Sequence, residues 1–166
     1  KNQGKTTGWI GYTLSKTTRY FNEINNGISF PAKYDRRHDL SITATHKINN
    51  KWTLSSVFVY ATGNSITLPT QRYIIGIEPP TPYTEFTSRN GFRMDAYHRL
   101  DIGATYTPEK KKKFQSSWNF SIYNVYSRKN PYFIYFALEG EGNIDDGNLD
   151  PKAYQVSIFP ILPSVT

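Results

Sequence analysis

Six stretches of this chain alternate apolar and polar side chains with a period of two, and that alternation constrains the fold more than any other feature. From about Thr7 to Tyr20, Ile10, Tyr12 and Leu14 share one face, and Gly11, Thr13, Ser15 and Thr17 share the other. From about Arg37 to Ile48, Leu40, Ile42, Ala44 and Ile48 oppose Asp39, Ser41, Thr43, Thr45 and Lys47. Lys51 to Thr62 places Trp52, Leu54, Phe58 and Tyr60 together. From about Arg93 to Pro108, Leu100, Ile102, Ala104 and Tyr106 oppose Arg99, Asp101, Gly103 and Thr105. From about Phe114 to Tyr126, Trp118, Phe120, Ile122 and Tyr126 oppose Asn119, Ser121 and Tyr123. A sixth stretch begins near Ala153 and runs towards the end of the chain. Side chains of an extended strand point alternately to opposite faces, so the expected fold class is all-β with about six antiparallel strands.

The composition bears on what the two faces meet. Aromatic residues make up 16% of the chain, with 13 Tyr, yet the mean hydropathy is −0.59. Alternating strands with lipid on one side and water on the other have this balance. There is no cysteine, which removes disulfide and thiolate-metal chemistry. No apolar run reaches the ~18 residues of a spanning helix, and Lys1 to Lys16 lacks the continuous apolar core of a signal peptide. The net charge of +7 is concentrated at Lys110, Lys111, Lys112 and Lys113, in one short connection. No helix-turn-helix, zinc-finger or aromatic RNA-binding signature accompanies it, so no nucleic-acid partner is expected.

Spacing points to membrane-crossing strands. Trp52 and Tyr60 bracket one apolar face, and Trp118 and Tyr126 bracket another with the same nine-residue span. That is about the length of a tilted strand crossing hydrocarbon, with aromatic residues at both interfaces. The connections alternate: long (about Phe21 to Arg36), short (Asn49 to Lys51), long (Gly63 to Phe92), short (about Glu109 to Lys113), long (Ser127 to Lys152). Short periplasmic turns and long extracellular loops make this asymmetry in outer-membrane barrels. The turn Asn49-Asn50-Lys51 pairs Ile48 with Trp52, with Asn suited to a left-handed position. The lipid-facing set is then Ile10, Tyr12, Leu14, Leu40, Ile42, Trp52, Leu54, Phe58, Tyr60, Leu100, Ile102, Tyr106, Trp118, Phe120, Ile122 and Tyr126. Ser56, Asn124 and His46 fall on the same parity against the pattern, and Val57 and Val59 on the opposite one. Six strands are too few to close a barrel, for which about eight is the minimum, so residues 1–166 are expected to be one incomplete domain.

The segments GWIGYTLSKTTRYF (Gly8 to Phe21) and FPAKYDRRHDLSITATHKINNKWTLSSVFVYATGNSITLP (Phe30 to Pro69) resemble the last strands of TonB-dependent outer-membrane receptors. YHRLDIGATY (Tyr97 to Tyr106), SWNFSIYNVYSRKNPYFIYF (Ser117 to Phe136) and VSIFPILPSVT (Val156 to Thr166) continue the likeness, which covers nearly the whole chain. It is nearest to the Bacteroidetes type with an N-terminal carboxypeptidase-regulatory-like domain. The resemblance implies part of a plugged barrel of about 22 strands in the bacterial outer membrane. It also implies a nutrient ligand at the extracellular loops and uptake energised by TonB through an N-terminal region outside this sequence. The remaining strands, the plug and outer-membrane lipid are the other partners implied. Family chains close on an aromatic residue, whereas this one stops at Thr166, as a chain cut short would. Two other readings stay open: a passive porin-like barrel, and a soluble carbohydrate-binding β-sandwich, which requires two packed layers.

No catalytic, metal or cofactor site is expected. Asp146, Asn148 and Asp150 have the alternating oxygen spacing of a calcium loop, but Pro151 interrupts it and no bidentate Glu follows, so a turn explains them better. His38, His46 and His98 do not converge on one site, since His38 and Asp39, as neighbours, point to opposite faces. Glu139 and Glu141 lie among glycines and read as a solvated loop rather than a carboxylate pair. Arg36 and Arg37 are candidate outer-rim contacts for anionic lipopolysaccharide phosphates, or interfacial charges paired with Asp35 or solvated. The run Tyr132 to Phe136 is a candidate for stacking on a ligand, for extending the fifth strand, or for packing on neighbouring loops.

Overall fold

The computed structural model describes residues 4–69, 71–75, 81–86, 88–109, 116–139 and 150–166, and there the chain is all-β. In chain order the strands are β1 (Thr6–Leu14), β2 (Thr18–Arg19), β3 (Phe30–Pro31), β4 (His38–Lys47), β5 (Trp52–Ala61), β6 (Ser65–Ile66), β7 (Gln71–Ile75), β8 (Thr81–Glu85), β9 (Phe92–Arg93), β10 (Tyr97–Tyr106), β11 (Trp118–Tyr123), β12 (Pro131–Glu139), β13 (Asp150–Ser157) and β14 (Leu162–Val165). One six-stranded antiparallel sheet runs β1-β4-β5-β10-β11-β14. The other strands pair two by two: β2 with β3, β6 with β9, β7 with β8, and β12 with β13.

The register keeps each strand's alternation in step with its neighbours. Ile10 faces Ile42, Ile42 faces Phe58, and Phe58 faces Leu100. A one-residue slip at any seam would move a whole strand's apolar set to the other side, so the pattern specifies the pairing. The second and third strands lie where the alternation puts them. The first ends at Leu14 rather than Tyr20, with Thr18–Arg19 pairing β3, and the fourth begins at Tyr97 rather than Arg93, with Phe92–Arg93 pairing β6. The hairpin between β4 and β5 also forms as expected, the Ile48 amide donating to the Trp52 carbonyl at 3.0 Å. Its turn, however, does not use a left-handed Asn, since neither Asn49 nor Asn50 is among the residues with positive φ. The Asn49 Oδ1 instead accepts from the amides of Lys51 and Trp52 at 2.8 and 2.9 Å. The second short connection lies mostly outside the described residues.

Two expectations about the last part of the chain are corrected. The stretch from Ala153 onward is not one strand. Its first part is β13, which pairs with β12 as a ribbon outside the sheet, and only Leu162–Val165 joins β11 at the sheet edge. The reason is the intervening Phe159-Pro160: Phe159 takes φ 60, and Pro160 supplies no amide. The fifth strand ends at Tyr123 rather than Tyr126, because Asn124 turns left-handed (φ 52) and the Val125 amide takes the Leu100 carbonyl. That is a bulge, with Asn in a position often held by Gly.

The two sheet edges differ. Ser15 and Lys5 bond inward to β4, so by alternation the even residues of β1 direct their backbone groups outward. On β14, Thr166 exchanges both bonds with Asn119, so Pro163 occupies an outward position, where its missing N–H costs the inner ladder nothing.

Among the described residues the buried apolar side chains are Phe30, Ala32, Ala61 and Met94. They lie at the sheet end from which the long connections leave, so the core sits under the loops and not on either sheet face. Gly63 belongs to this packing: a Cβ there would overlap the backbone carbonyls of Met94 and Asp95.

Candidate functional site

One face of the sheet is apolar from β1 to β14. Ile10, Ile42, Phe58, Leu100, Ile102, Ile122, Phe120 and Val165 follow one another across the register. Nothing of the described chain covers them: Ile10 is 73%, Trp118 53% and Phe120 42% exposed. Tyr12, Leu14, Trp52, Leu54, Ile102 and Tyr126 are also exposed, while Leu40, Ile42, Phe58, Tyr60, Leu100, Tyr106 and Ile122 are half-buried. Small residues at Ala44, Ser56 and Ala104 leave a trough of about 530 Å³ between Leu54, Ile102 and Phe120.

Polar-tipped rings border this face at both ends. Towards the long connections, Tyr12 Oη and His38 Nδ1 share a hydrogen bond of 2.8 Å, and His98 Nδ1 and Tyr126 Oη another of 2.8 Å. Tyr60 stacks on His98 with ring centres 6.4 Å apart. Towards the short turns, Trp52 and Tyr106 lie 4.9 Å apart, Tyr106 faces Trp118, and Thr6 Oγ1 meets His46 Nδ1 at 2.7 Å. The three histidines are thus separate edge residues, each bonded to a hydroxyl. Among the described residues no cluster of three His, Asp or Glu forms. Ser56 falls on this face as the alternation has it.

The opposite face is hydroxyl-rich: Thr7, Thr13, Ser41, Thr43, Thr45, Thr53, Ser55, Thr105 and Ser121 share it through the same register. Val57 and Val59 lie among them, half-buried. Among the described residues a dense polar group on this face is centred on Arg99, which pairs with Asp101 at 2.9 Å and lies 4.0 Å over the Tyr123 ring. Arg99 Nη1 also donates to the Tyr97 and Tyr123 hydroxyls at 3.0 and 2.5 Å. Trp9 sits on this polar face, 58% exposed and leaning over Gly11. Its parity shows in the sequence, but nothing there says that its ring lies against the strand.

The long connections are tied together by Asp35. Its carboxylate is 3% exposed, accepts from the Thr17 amide at 2.5 Å and pairs with Arg93 at 2.6 Å. Arg93 Nη1 donates to the carbonyls of Asp35 and Gly63. Burial by itself would raise this carboxyl; the Thr17 amide and the Arg93 guanidinium outweigh it and hold it below its ordinary value. The expected pairing of Arg36 or Arg37 with Asp35 is therefore corrected. Arg93 takes that place, brought there by the pairing of β9 with β6, in which it faces Ser65, whose amide bonds the Lys33 carbonyl. Arg36 pairs with Asp39 at 3.7 Å, half-exposed, and reaches Asn64. Arg37 bears on Asp35 only through its charge. Asn90 completes the layer, donating to the Pro31 carbonyl at 2.9 Å.

Two buried asparagines close the corner where β11 leaves β10. Asn130 donates to the His98 carbonyl at 2.9 Å and accepts from the His98 amide at 3.0 Å, replacing a missing strand. Asn124 was expected on the lipid-facing parity; it is instead buried, 1% exposed, because the bulge rotates it inward. Its side chain bonds Arg128 and Phe159. The sequence signals were an Asn that breaks the alternation and an Asn-Pro pair, both ordinary turn marks.

Beyond this corner, Tyr132 to Phe136 lie in β12 rather than extending the fifth strand. Tyr135 stacks on Tyr154 across the ribbon at 5.3 Å, and Phe133, 44% exposed, adjoins Tyr135. Glu139 ends β12 and Asp150 begins β13, so neither is in a free loop. Asp146, Asn148 and Glu141 lie outside the described residues. Comparison with protein-family models, with curated proteins and with solved structures finds no match.

Proposed function

We propose that this chain forms barrel wall and outer loops of a TonB-dependent receptor in the bacterial outer membrane. One observation carries the membrane part of the reading: the apolar face is continuous across the sheet, uncovered, and bordered at both ends by rings with polar tips. Fully burying one large apolar side chain is worth about 1.5–3 kcal/mol, so leaving the ten exposed ones of this face about half in water would forgo on the order of 10 kcal/mol. A patch of that size needs an apolar partner. From Trp52 to Tyr60 the strand rises about 26 Å, or about 20 Å along the membrane normal at a tilt of ~40°, so the bordering rings at its two ends fall near the limits of a hydrocarbon band of about 25 Å. The hydroxyl-rich face with its satisfied Arg99 suits a hydrated interior. A soluble sandwich is less well supported, because it requires a second layer over Trp52, Phe58, Phe120 and Ile122, which are exposed or half-buried.

Open edges at β1 and β14 favour a larger wall, since hydrocarbon cannot satisfy unpaired backbone groups. The receptor assignment, as opposed to a passive barrel, is supported by the resemblance of Gly8 to Pro69 and of Tyr97 onward to the closing strands of that family. In this reading the loops carry the nutrient site and the missing strands and plug complete the barrel.

The chain's three tryptophans make the test direct. In its natural polypeptide context, reconstituted in vesicles of brominated-acyl lipid, single-Trp variants retaining Trp52 or Trp118 lose fluorescence to the bromine. A variant retaining Trp9 does not. Equal quenching of all three, or of none, overturns the two-faced reading. Energy coupling is tested apart from it: nutrient-dependent growth that needs both the parent chain and TonB supports a receptor, and growth indifferent to TonB supports a passive barrel.

A further inference from the structure

We propose that Asn124 is a positioning residue that clamps the β12–β13 ribbon in its pose, and that Asp101 and Arg99 set the clamp. The proposal is independent of where the sheet resides. The Asn124 Nδ2 donates to two carbonyls, Arg128 at 3.0 Å and Phe159 at 3.1 Å, and its Oδ1 accepts from the Arg128 amide at 3.1 Å. Arg128 leads into β12 and Phe159 leads out of β13. A single side chain therefore holds both roots of the ribbon.

The clamp is itself anchored on the sheet. The Asn124 amide donates to Asp101 Oδ1 at 2.9 Å, and the other oxygen of that carboxylate takes Arg99 Nε and Nη2 at 3.0 and 2.9 Å. Arg99 is in turn fixed by the Tyr97 and Tyr123 hydroxyls and by the Tyr123 ring. The contacts run unbroken from the hydroxyl-rich face to the ribbon roots.

Phe159 provides the second state. Its φ of 60 is a conformation that a bulky side chain keeps only while its surroundings hold it. Without the Asn124 bond to its carbonyl, Phe159 relaxes to negative φ and the ribbon turns about that point. What moves with it is the exposed aromatic row of Phe133 and Tyr135.

The test is hydrogen exchange on the full chain in detergent. Asn124→Gly deletes the side chain while tolerating the left-handed backbone, so it removes the clamp and spares the bulge. Exchange at amides of 131–139 and 150–157 rises about tenfold, as expected for lost hydrogen bonds, with β4 and β5 unchanged. Asn124→Asp, which cannot donate to either carbonyl, gives a rise in the same amides. Asp101→Asn, which keeps the acceptor and releases Arg99, gives a smaller one there. In Asn124→Gly combined with Phe159→Gly the rise is smaller than in Asn124→Gly alone, because glycine holds a positive φ without cost. Ribbon exchange at the parental rate in both Asn124 variants overturns the proposal. So does a rise shared equally by ribbon and sheet, which a merely structural residue would give.

Discussion

Asp35 and Arg93, 58 positions apart in sequence, meet at 2.6 Å beneath the long connections. The carboxylate is nearly sealed from solvent, whereas the guanidinium side chain is 32% exposed, so the two partners have unequal alternatives. Arg93→Met leaves a buried charge with the Thr17 amide as its remaining neutral support and is expected to cost about 3 kcal/mol. Asp35→Asn retains an acceptor and leaves Arg93 its bonds to the Asp35 and Gly63 carbonyls, at about 1 kcal/mol. Amide exchange at Thr17, Ala32 and Ser65, which lie in the same layer, reads the difference. Equal acceleration by both variants would show that the pair is not the organising contact.

The same carboxylate predicts a pH response. Its folded form holds a proton less readily than its unfolded form, since Arg93 and the Thr17 amide outweigh burial. Its contribution to stability is therefore complete above about pH 5, declines as pH falls past the ordinary value of 3.8, and is gone below the depressed folded value. Near-UV circular dichroism melts of the loop layer should lose stability across that acidic window. Asp35→Asn should flatten the profile. A profile that is already flat in the parent would refute the assignment.

Adjacent positions on β5 should answer oppositely to charge. In the proposed membrane setting, Phe58→Lys places an ammonium at mid-depth and is expected to cost about 2–4 kcal/mol. Val57→Lys points the other way, across from Asp101, and should cost close to nothing. Urea unfolding of the vesicle-embedded protein measures both. Matching midpoints would mean that the faces are not distinguished by lipid.

The β4–β5 turn offers a contrast between two substitutions at one position. Asn49→Ala removes the acceptor of the Lys51 and Trp52 amides and should destabilise the hairpin by about 1 kcal/mol. Asn49→Asp preserves that acceptor and should be nearly neutral. Loss of stability with both variants would shift the credit from the side-chain oxygen to the amide donor.

The sheet was legible because its information is local. Ile10, Ile42, Phe58 and Leu100 each announce their face by parity alone, and the three-residue turn at Asn49 then sets the register of its hairpin. What escaped depends on chain reversals. Arg93 carries no local sign that it will reach Asp35, since that contact exists only after β9 pairs with β6. Asn124 reads as a flaw in the alternation until the bulge turns it inward. The residues after Ala153 alternate as well in a ribbon as in a sheet, so parity could not tell one strand from two; the break lies at Phe159, whose backbone conformation no propensity would suggest. Trp9 shares the parity of Gly11 and Thr13, but its lie over Gly11 is a matter of packing.

The placement of Pro163 has a mechanical corollary. Because the imide nitrogen occupies an outward site on β14, any strand zipped onto that side forms one bond fewer than it would with an amide at that position. Where a strand does pair there, as the proposed wall requires, that seam is weaker by one bond, and Pro163→Ala should raise the force needed to unzip it.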